Sequence, residues 1–227
     1  MWRSLRWVIR HRAWTPNYLI RYWRFFVFKL RNPHIITTGF VFLGKHVTVE
    51  ARKGYARLTL GKWIHFGEGT TIRCHEGTMV IGDKTVFGTQ VKVNGYLDVE
   101  IGEKCIIADW VYVCDFDHRT DDIFTPIKDQ GIVKSPVRIG SDVWIGTKAS
   151  VLKGSQIGDG CVLAAHCVVK GPVEPFMIVG GIPAKPLKDR REVFQAQAAH
   201  RAKVEKIGRE MAAAVAQIPS DNFDTAQ

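Results

Sequence analysis

Among the side chains that could take part in acid–base chemistry, His118 stands out by its position in the chain. It follows Asp115 and Asp117 and directly precedes about twenty residues that interrupt an otherwise regular repeat. A long loop that leaves a compact repeat is usually functional. An imidazole titrates near neutral pH, so His118 is suited to take a proton from a hydroxyl group. Either aspartate is a candidate for orienting its ring, although strand alternation would turn Asp117 to the opposite face.

The cysteines and the overall composition indicate the class of protein. The five cysteines form no CxxC pair and are odd in number, which favours a reduced, cytoplasmic chain over a disulfide framework. No apolar run approaches the roughly 18 residues of a membrane span, and the first residues lack the apolar centre of a signal peptide. With 227 residues, 46% hydrophobic and 24% charged, the chain is expected to be globular, with one domain and an extension.

The net charge of +10 is concentrated at the N-terminus. Residues 1–34 contain eight arginines and lysines, four of the seven tryptophans and no acidic residue, which leaves a net charge of +2 for the remainder. Thr15-Pro16 and Asn32-Pro33 predict the start and the end of a helix, with aromatic residues at helical spacing between them.

This basic, aromatic segment has two interpretations. A pair of short helices could cap the end of the core with their arginines in solvent. Alternatively, a helix in residues 1–34 could lie on the anionic inner surface of a membrane as a peripheral contact, with its aromatic rings at headgroup depth. Nucleic acid is not an expected partner, because no recognition fold accompanies the charge.

From about residue 41, an aliphatic residue or Phe followed by a small residue recurs every six positions, and every third hexapeptide loses the small residue. The higher-order period of eighteen predicts a coil with three short sides, each paired with the same side of the next coil. The apolar residue points into a narrow prism, and the small residue lies at a tight corner. The predicted fold class is an all-β solenoid, a parallel β-helix of hexapeptide repeats, with N-terminal helices and a C-terminal helix.

The repeat also predicts the organisation of the chain. A basic, aromatic helical segment is expected over residues 1–40, the β-helix over 41–188, and a helix with a tail over 189–227. Successive coils are 21, 20, 38 and 18 residues long when counted between Leu60, Ile81, Ile101, Ile139 and Ile157. The long one predicts an inserted loop over residues 119–138.

The repeat residues resemble the hexapeptide-repeat acyltransferases, and among them the sugar O-acetyltransferase branch of maltose, galactoside, nodulation-factor and polysaccharide acetyltransferases. The resemblance covers about residues 41–188 and is most specific in residues 117–121, 136–146 and 181–185. It implies a left-handed coil, an acyl-CoA donor (acetyl-CoA in the simplest case) and a homotrimer whose pocket lies between neighbouring solenoids.

The resemblance also implies roles for individual residues. His118 takes the place of the family's catalytic histidine, a general base for a sugar hydroxyl that attacks the thioester. The family's asparagine, which holds the thioester oxygen, is replaced here by Gly88, so Gln90 or a backbone N–H is the candidate oxyanion donor. Positions that contact CoA in the family are matched by Trp144, Thr147, Ala165, Lys185 and Lys188.

The predicted function is acyl-CoA-dependent O-acylation of a carbohydrate hydroxyl, with a large, anionic or lipid-linked glycan as the favoured acceptor. A non-catalytic scaffold or glycan-binding protein is an alternative, as are a longer acyl chain, a non-sugar acceptor and an acyl-enzyme on Cys114. No metal is expected, because a zinc carbonic anhydrase on this solenoid needs histidines five apart, whereas His65 and His75 are ten apart.

Overall fold

The computed structural model describes residues 15–216. The chain divides into two compact units, one that ends at Leu187 and one that begins at Lys188. The first contains helix α1 (Pro16–Arg31) and the coils of strands, and the second contains the long helix α2 (Arg190–Ala216). The first of the expected pair of N-terminal helices falls on residues 1–14 and therefore lies outside the described residues.

Short parallel strands stack into three sheets that form the sides of a prism. The first sheet contains β1 (Ile36–Thr37), β4 (Ala56–Leu60), β7 (Gly77–Ile81), β10 (Asp98–Ile101), β15 (Val137–Ile139), β18 (Gln156–Ile157) and β21 (Pro172–Val173). The second contains β2 (Val41–Leu43), β5 (Ile64–Phe66), β8 (Val86–Phe87), β11 (Ile106–Ile107), β16 (Trp144–Ile145), β19 (Val162–Leu163), β22 (Met177–Gly180) and β23 (Lys185–Asp189). The third contains β3 (Thr48–Ala51), β6 (Thr71–Cys74), β9 (Lys92–Gly95), β12 (Tyr112–Cys114), β17 (Ser150–Val151) and β20 (Val168–Val169).

Neighbouring coils pair in the register that the sequence repeat predicts. Ile101 lies opposite Ile81 on one side and Ile139 on the other, and Ile107 lies opposite Ile145. These apolar side chains are buried inside the prism. The predicted parallel solenoid is confirmed, and each coil is stabilised mainly by the coils on either side of it.

The chain turns between sheets at three corners, which we call the first corner (first to second sheet), the second corner (second to third) and the third corner (third to first). A Cβ added to Gly67 at the second corner would lie 2.9 Å from the backbone nitrogen of Thr89, which explains the small residue there. Two residues after the small position, the backbone has a positive φ even at Gln90 (57°) and Trp110 (62°). Their N–H groups donate to Glu68 and Thr89 of the preceding coil, at 2.8 and 3.0 Å, which offsets part of the torsional cost of about 1 kcal/mol each.

Helix α1 has the predicted bounds. It begins after Thr15 with Pro16 in its first turn, and it ends where the N–H of Asn32 donates to the carbonyl of Phe28 at 2.9 Å. One face of the helix packs on the first coil, with Tyr22 against Phe42 at a ring-centroid distance of 5.8 Å and with Phe28 buried. This face of α1 caps the first coil, as the first of the two interpretations expects for this part of the segment.

Helix α2 is exposed along most of its length and carries ion pairs one turn apart, Lys206–Glu210 at 3.8 Å and Arg209–Glu205 at 4.0 Å. It confirms the predicted C-terminal helix. No helix within residues 15–216 is both long enough and apolar enough to cross a bilayer.

Candidate active site

A hairpin projects from the third corner at the place where the sequence predicts an inserted loop. Its arms are β13 (Phe116–His118) and β14 (Ile132–Lys134), which pair antiparallel with His118 opposite Ile132. A short 3-10 helix (Ile127–Asp129) lies in the connecting loop. The base is anchored to the solenoid, because the N–H of Ser135 donates to the carbonyl of Asp115 at 2.8 Å.

Asp115 holds the turn beneath the hairpin. Its side chain is completely buried, and its two carboxylate oxygens accept the backbone N–H groups of Tyr96, Leu97 and Asp98 at 2.7–2.8 Å. These three hydrogen bonds engage both carboxylate oxygens of Asp115 in the turn of the preceding coil. Asp115 therefore does not orient His118, and that part of the sequence-based expectation is wrong.

His118 lies at the exposed end of β13, where a substrate can reach it. Its ring lies edge-on to Phe116, with centroids 6.5 Å apart and an interplanar angle of 82°. Asp117 carries its carboxylate 3.7 Å from the ammonium of Lys153. Phe116 therefore supplies an aromatic contact to the imidazole, whereas the carboxylate of Asp117 pairs with Lys153.

Phe116 continues an aromatic column along the third corner that the sequence analysis missed. The ring of Tyr96 lies 4.6 Å from that of Phe116 and stacks on His75 at 4.5 Å and 12°. Lys134 of β14 lies beside this column, 5.5 Å from the ring of Tyr96. The extra residues in the 21- and 20-residue coils were the signal for this widened corner, because His75 and Tyr96 lie in them.

Two charged side chains lie beside the aromatic column, close to the hairpin. Lys134 bonds to the carboxylate of Glu76 at 2.6 Å, and this hydrogen bond lowers the pKa of Glu76. Aromatic faces and charged groups therefore lie side by side next to the hairpin.

The residues matched to CoA contacts lie elsewhere on the prism. Trp144 is on the outer face of the second sheet, with 53% of its surface exposed, between Ile106 and Val162. Thr147 and Ala165 follow it at the second corner, one coil apart, where the hydroxyl of Thr147 donates to the carbonyl of Asp109 at 2.8 Å. Trp110 is 57% exposed at the same corner. The sequence did not predict its place there, because a positive φ is unusual for an aromatic residue.

Gln90 belongs to the second corner as well. Its side chain lies over Gly69 of the preceding coil, where an added Cβ would be 2.7 Å from the amide carbon Cδ. Within one chain, Gln90, Thr147 and Ala165 thus share one corner, and Trp144 lies on the strand that leads to it. His118 projects from another corner.

The two lysines matched to phosphate contacts fall in different compact units. Lys185 is exposed at the start of β23, in the first compact unit. Lys188 is exposed and belongs to the second unit. Among residues 15–216, no group of three or more His, Cys, Asp or Glu side chains is arranged to hold a metal ion.

Comparison with known proteins identifies the repeat. Residues 136–171 match the family model described as bacterial transferase hexapeptide (six repeats). A protein of Mycobacterium tuberculosis named as probable acetyltransferase Rv3034c is 55% identical over 215 residues, which cover 95% of this chain and 69% of that protein. The chain belongs to the hexapeptide-repeat acetyltransferases.

Two further proteins that this chain resembles have names that refer to sugars. WbbJ of Escherichia coli K12, named for O-acetyl transfer in lipopolysaccharide biosynthesis, is 32% identical over 139 residues, 55% of this chain and 71% of that protein. A solved galactoside acetyltransferase in complex with coenzyme A superposes with a TM-score of 0.52 at 21% identity, over 57% of this chain and 64% of that one. The likeness to the solved structure confirms the left-handed β-helix.

The cysteines of this acetyltransferase are poor nucleophiles. All five are free and buried, and burial raises the pKa of Cys114 as well as that of Cys74, the latter to about 11. We expect Cys114→Ala to keep its rate of acetyl transfer within about threefold, and iodoacetamide near neutral pH to leave the parent active, because only the thiolate is nucleophilic. The measurement is CoA release with and without alkylation. Loss of activity in Cys114→Ala with an unchanged melting temperature would instead support an acyl-enzyme.

A side chain at position 88 would be sterically unfavourable. A Cβ at this position would lie 2.8 Å from the backbone nitrogen of Asp109 and closer still to its carboxylate, which accepts the N–H of Thr89 at 2.6 Å. We expect Gly88→Asn to destabilise the fold by about 2 kcal/mol. The melting temperature measures this loss, and Gly208→Asn is the matched control, because a Cβ at Gly208 meets open space and its φ is not positive. Equal melting temperatures for Gly88→Asn and the parent would show that the corner tolerates a side chain.

Proposed function

We propose that this acetyltransferase transfers the acetyl group of acetyl-CoA to a hydroxyl of a carbohydrate, with His118 as the general base. The observation that carries the proposal is the exposed imidazole at the loop end of a hairpin arm, near an aromatic column. One ring nitrogen accepts the hydroxyl proton as the oxygen attacks the thioester carbonyl. The tetrahedral intermediate then collapses, and CoA leaves as a thiol after it takes the proton back from the imidazolium.

The transient oxyanion needs a hydrogen-bond donor near the thioester. We assign this role to the amide of Gln90 or to a backbone N–H of the second corner. Both belong to the same corner as Thr147 and Ala165, which we assign to the donor together with Trp144 on the adjoining strand. Fixed donors of this kind act most strongly where water is excluded.

The separation of the two sets of residues supports a homotrimer. His118 projects from the third corner and the donor residues lie at the second, so one chain does not bring them together. In a trimer, the third corner of one copy can meet the second corner of its neighbour, and each active site then takes residues from two chains. A surface with exposed Trp144, Trp110 and Ile106 suits burial between copies.

Two lysines complete the proposed donor site. Lys185 and Lys188 are exposed and carry no acidic partner among residues 15–216, which suits contact with the phosphates of CoA. An ammonium acts there as a point charge. No metal takes part in the proposed reaction.

The acceptor is proposed to be a glycan, and a large, anionic or lipid-linked glycan is favoured. The aromatic column of His75, Tyr96 and Phe116 and the Lys134–Glu76 pair supply stacking surfaces and polar partners beside His118. The basic N-terminal segment would bring the enzyme to the inner face of the membrane as a peripheral, cytoplasmic protein.

The test is a screen of acceptors with acetyl-CoA that follows free thiol release. Monosaccharides, oligosaccharides, anionic polysaccharides and two non-sugar alcohols, serine and chloramphenicol, form the panel. We expect release of thiol that depends on a carbohydrate, with an equal amount of acetyl ester in the product. Turnover with a non-sugar alcohol alone would reject the carbohydrate, and turnover only with longer acyl-CoA donors would reject acetyl transfer.

A further inference from the structure

Helix α1 has a second apolar face, on the side away from the core. Leu19, Trp23, Phe26 and Leu30 recur at spacings of four, three and four residues, so they form one stripe along the helix. Each is between 54% and 66% exposed. The opposite side is held on the first coil through Tyr18, Tyr22, Phe25 and Phe28, so the core fixes the direction in which the stripe points.

A groove runs along the edge of this stripe, between α1 and the first coil. Its volume is about 530 Å³, and Trp23 belongs both to the stripe and to the groove wall. Arg24, Val27 and Arg31 line it from the helix, and His46 lines it from the coil. Arg24 and Arg31 are seven residues apart on one side of the helix, which places their Cα atoms about 10 Å apart.

The charges in the groove favour an anion. One N–H group of Arg24 donates to the carbonyl oxygen of Leu43 at 3.3 Å. Within the described residues, neither Arg24 nor Arg31 forms an ion pair with a carboxylate. Glu50 also lines the groove, but its carboxylate pairs with Arg73 at 3.1 Å. The first acidic residue of the whole sequence is this Glu50, so nothing on α1 itself opposes a negative ligand.

We propose that the groove binds the phosphate group of an anionic membrane lipid, with Arg24 and Arg31 on the phosphate oxygens and the stripe of Leu19, Trp23, Phe26 and Leu30 in the acyl-chain boundary. The inference deepens the peripheral membrane contact of the proposed function and rests on it. A lipid matches both features at once, since its headgroup is anionic and its chains are apolar. A free phosphate would leave the stripe in water, and a second copy of α1 would bring Arg24 and Arg31 towards like charges.

The test measures co-sedimentation of the full-length protein with vesicles of phosphatidylcholine alone or mixed with phosphatidylglycerol. Arg24→Gln/Arg31→Gln is expected to lower partitioning onto the mixed vesicles about 30-fold, because each basic residue near an anionic surface contributes about fivefold. Arg57→Gln/Arg201→Gln is the matched control, with the same change in net charge at exposed positions elsewhere. Trp23→Ser/Phe26→Ser should lower binding to both kinds of vesicle, and added salt should weaken only the arginine-dependent part.

Several results would overturn the proposal. One is equal partitioning of the groove variant and its control. Another is that inorganic phosphate alone stabilises the folded protein through Arg24 and Arg31, while the protein does not bind vesicles. A third is a lower oligomeric mass for Trp23→Ser/Phe26→Ser, since it would assign the stripe to a second copy. Acetyl transfer to a soluble acceptor without vesicles is expected to be the same in all four proteins, so failure of membrane binding stays distinct from failure of the proposed reaction.

Discussion

A His118→Ala variant is expected to lose about 10²- to 10⁴-fold in kcat, the range observed when a general base is removed. Without the imidazole, the proton of the acceptor hydroxyl has only water to go to, and a neutral hydroxyl is a poor nucleophile towards a thioester. Because His118 is exposed at the end of β13, its removal leaves no cavity, and the melting temperature should change little. Free thiol release with saturating acetyl-CoA and acceptor measures the effect.

The matched control for this loss is His200→Ala, an exposed histidine on α2. It should turn over at the parental rate. If His118→Ala kept full kcat, the general-base role would be rejected. If both variants lost activity together, the cause would lie in the handling of the protein rather than in the chemistry.

An Asp115→Ala variant is expected to melt about 10 °C below the parent. The substitution removes a fully buried carboxylate that accepts three backbone N–H groups, so those donors would lose their partner at a cost of about 3–5 kcal/mol. For a chain of this length, each kcal/mol corresponds to roughly 2–4 °C. Thermal unfolding followed by circular dichroism measures the shift.

Asp117→Ala provides the comparison, two residues away in the same chain. Its carboxylate is only partly buried and forms an ion pair of 3.7 Å with Lys153, so the expected change in melting temperature is about 2 °C or less. Asp115→Asn should fall between the two, because the amide retains one acceptor oxygen. A melting temperature for Asp115→Ala equal to that of Asp117→Ala would show that the turn does not depend on the buried carboxylate.

The fold could be predicted from the sequence because its information is local and repeated. Pairs such as Ile81-Gly82 and Ile101-Gly102 recur at the period of one coil, and stacking identical coils allows only one register for the buried residues. The bounds of α1 followed in the same way from Thr15-Pro16 and Asn32-Pro33, since the chemistry of helix ends involves neighbouring residues only.

The site depends on residues that are far apart in the chain, and only the tertiary structure showed how they lie. Asp115 looked like a partner for His118, but its oxygens face N–H groups about twenty residues earlier, which no spacing rule reports. The same distance in sequence separates Tyr96 from Phe116, whose rings meet at the third corner.

By itself, the sequence determined the solenoid, its interruption after His118 and the helices at either end. The tertiary structure decided which aspartate is structural, that Thr147 and Ala165 lie at a different corner from His118, and that α1 caps the core with one face while it exposes another. The physical reason is that a repeat is specified by neighbours in the chain, whereas a corner joins side chains that only the stacking of coils brings together.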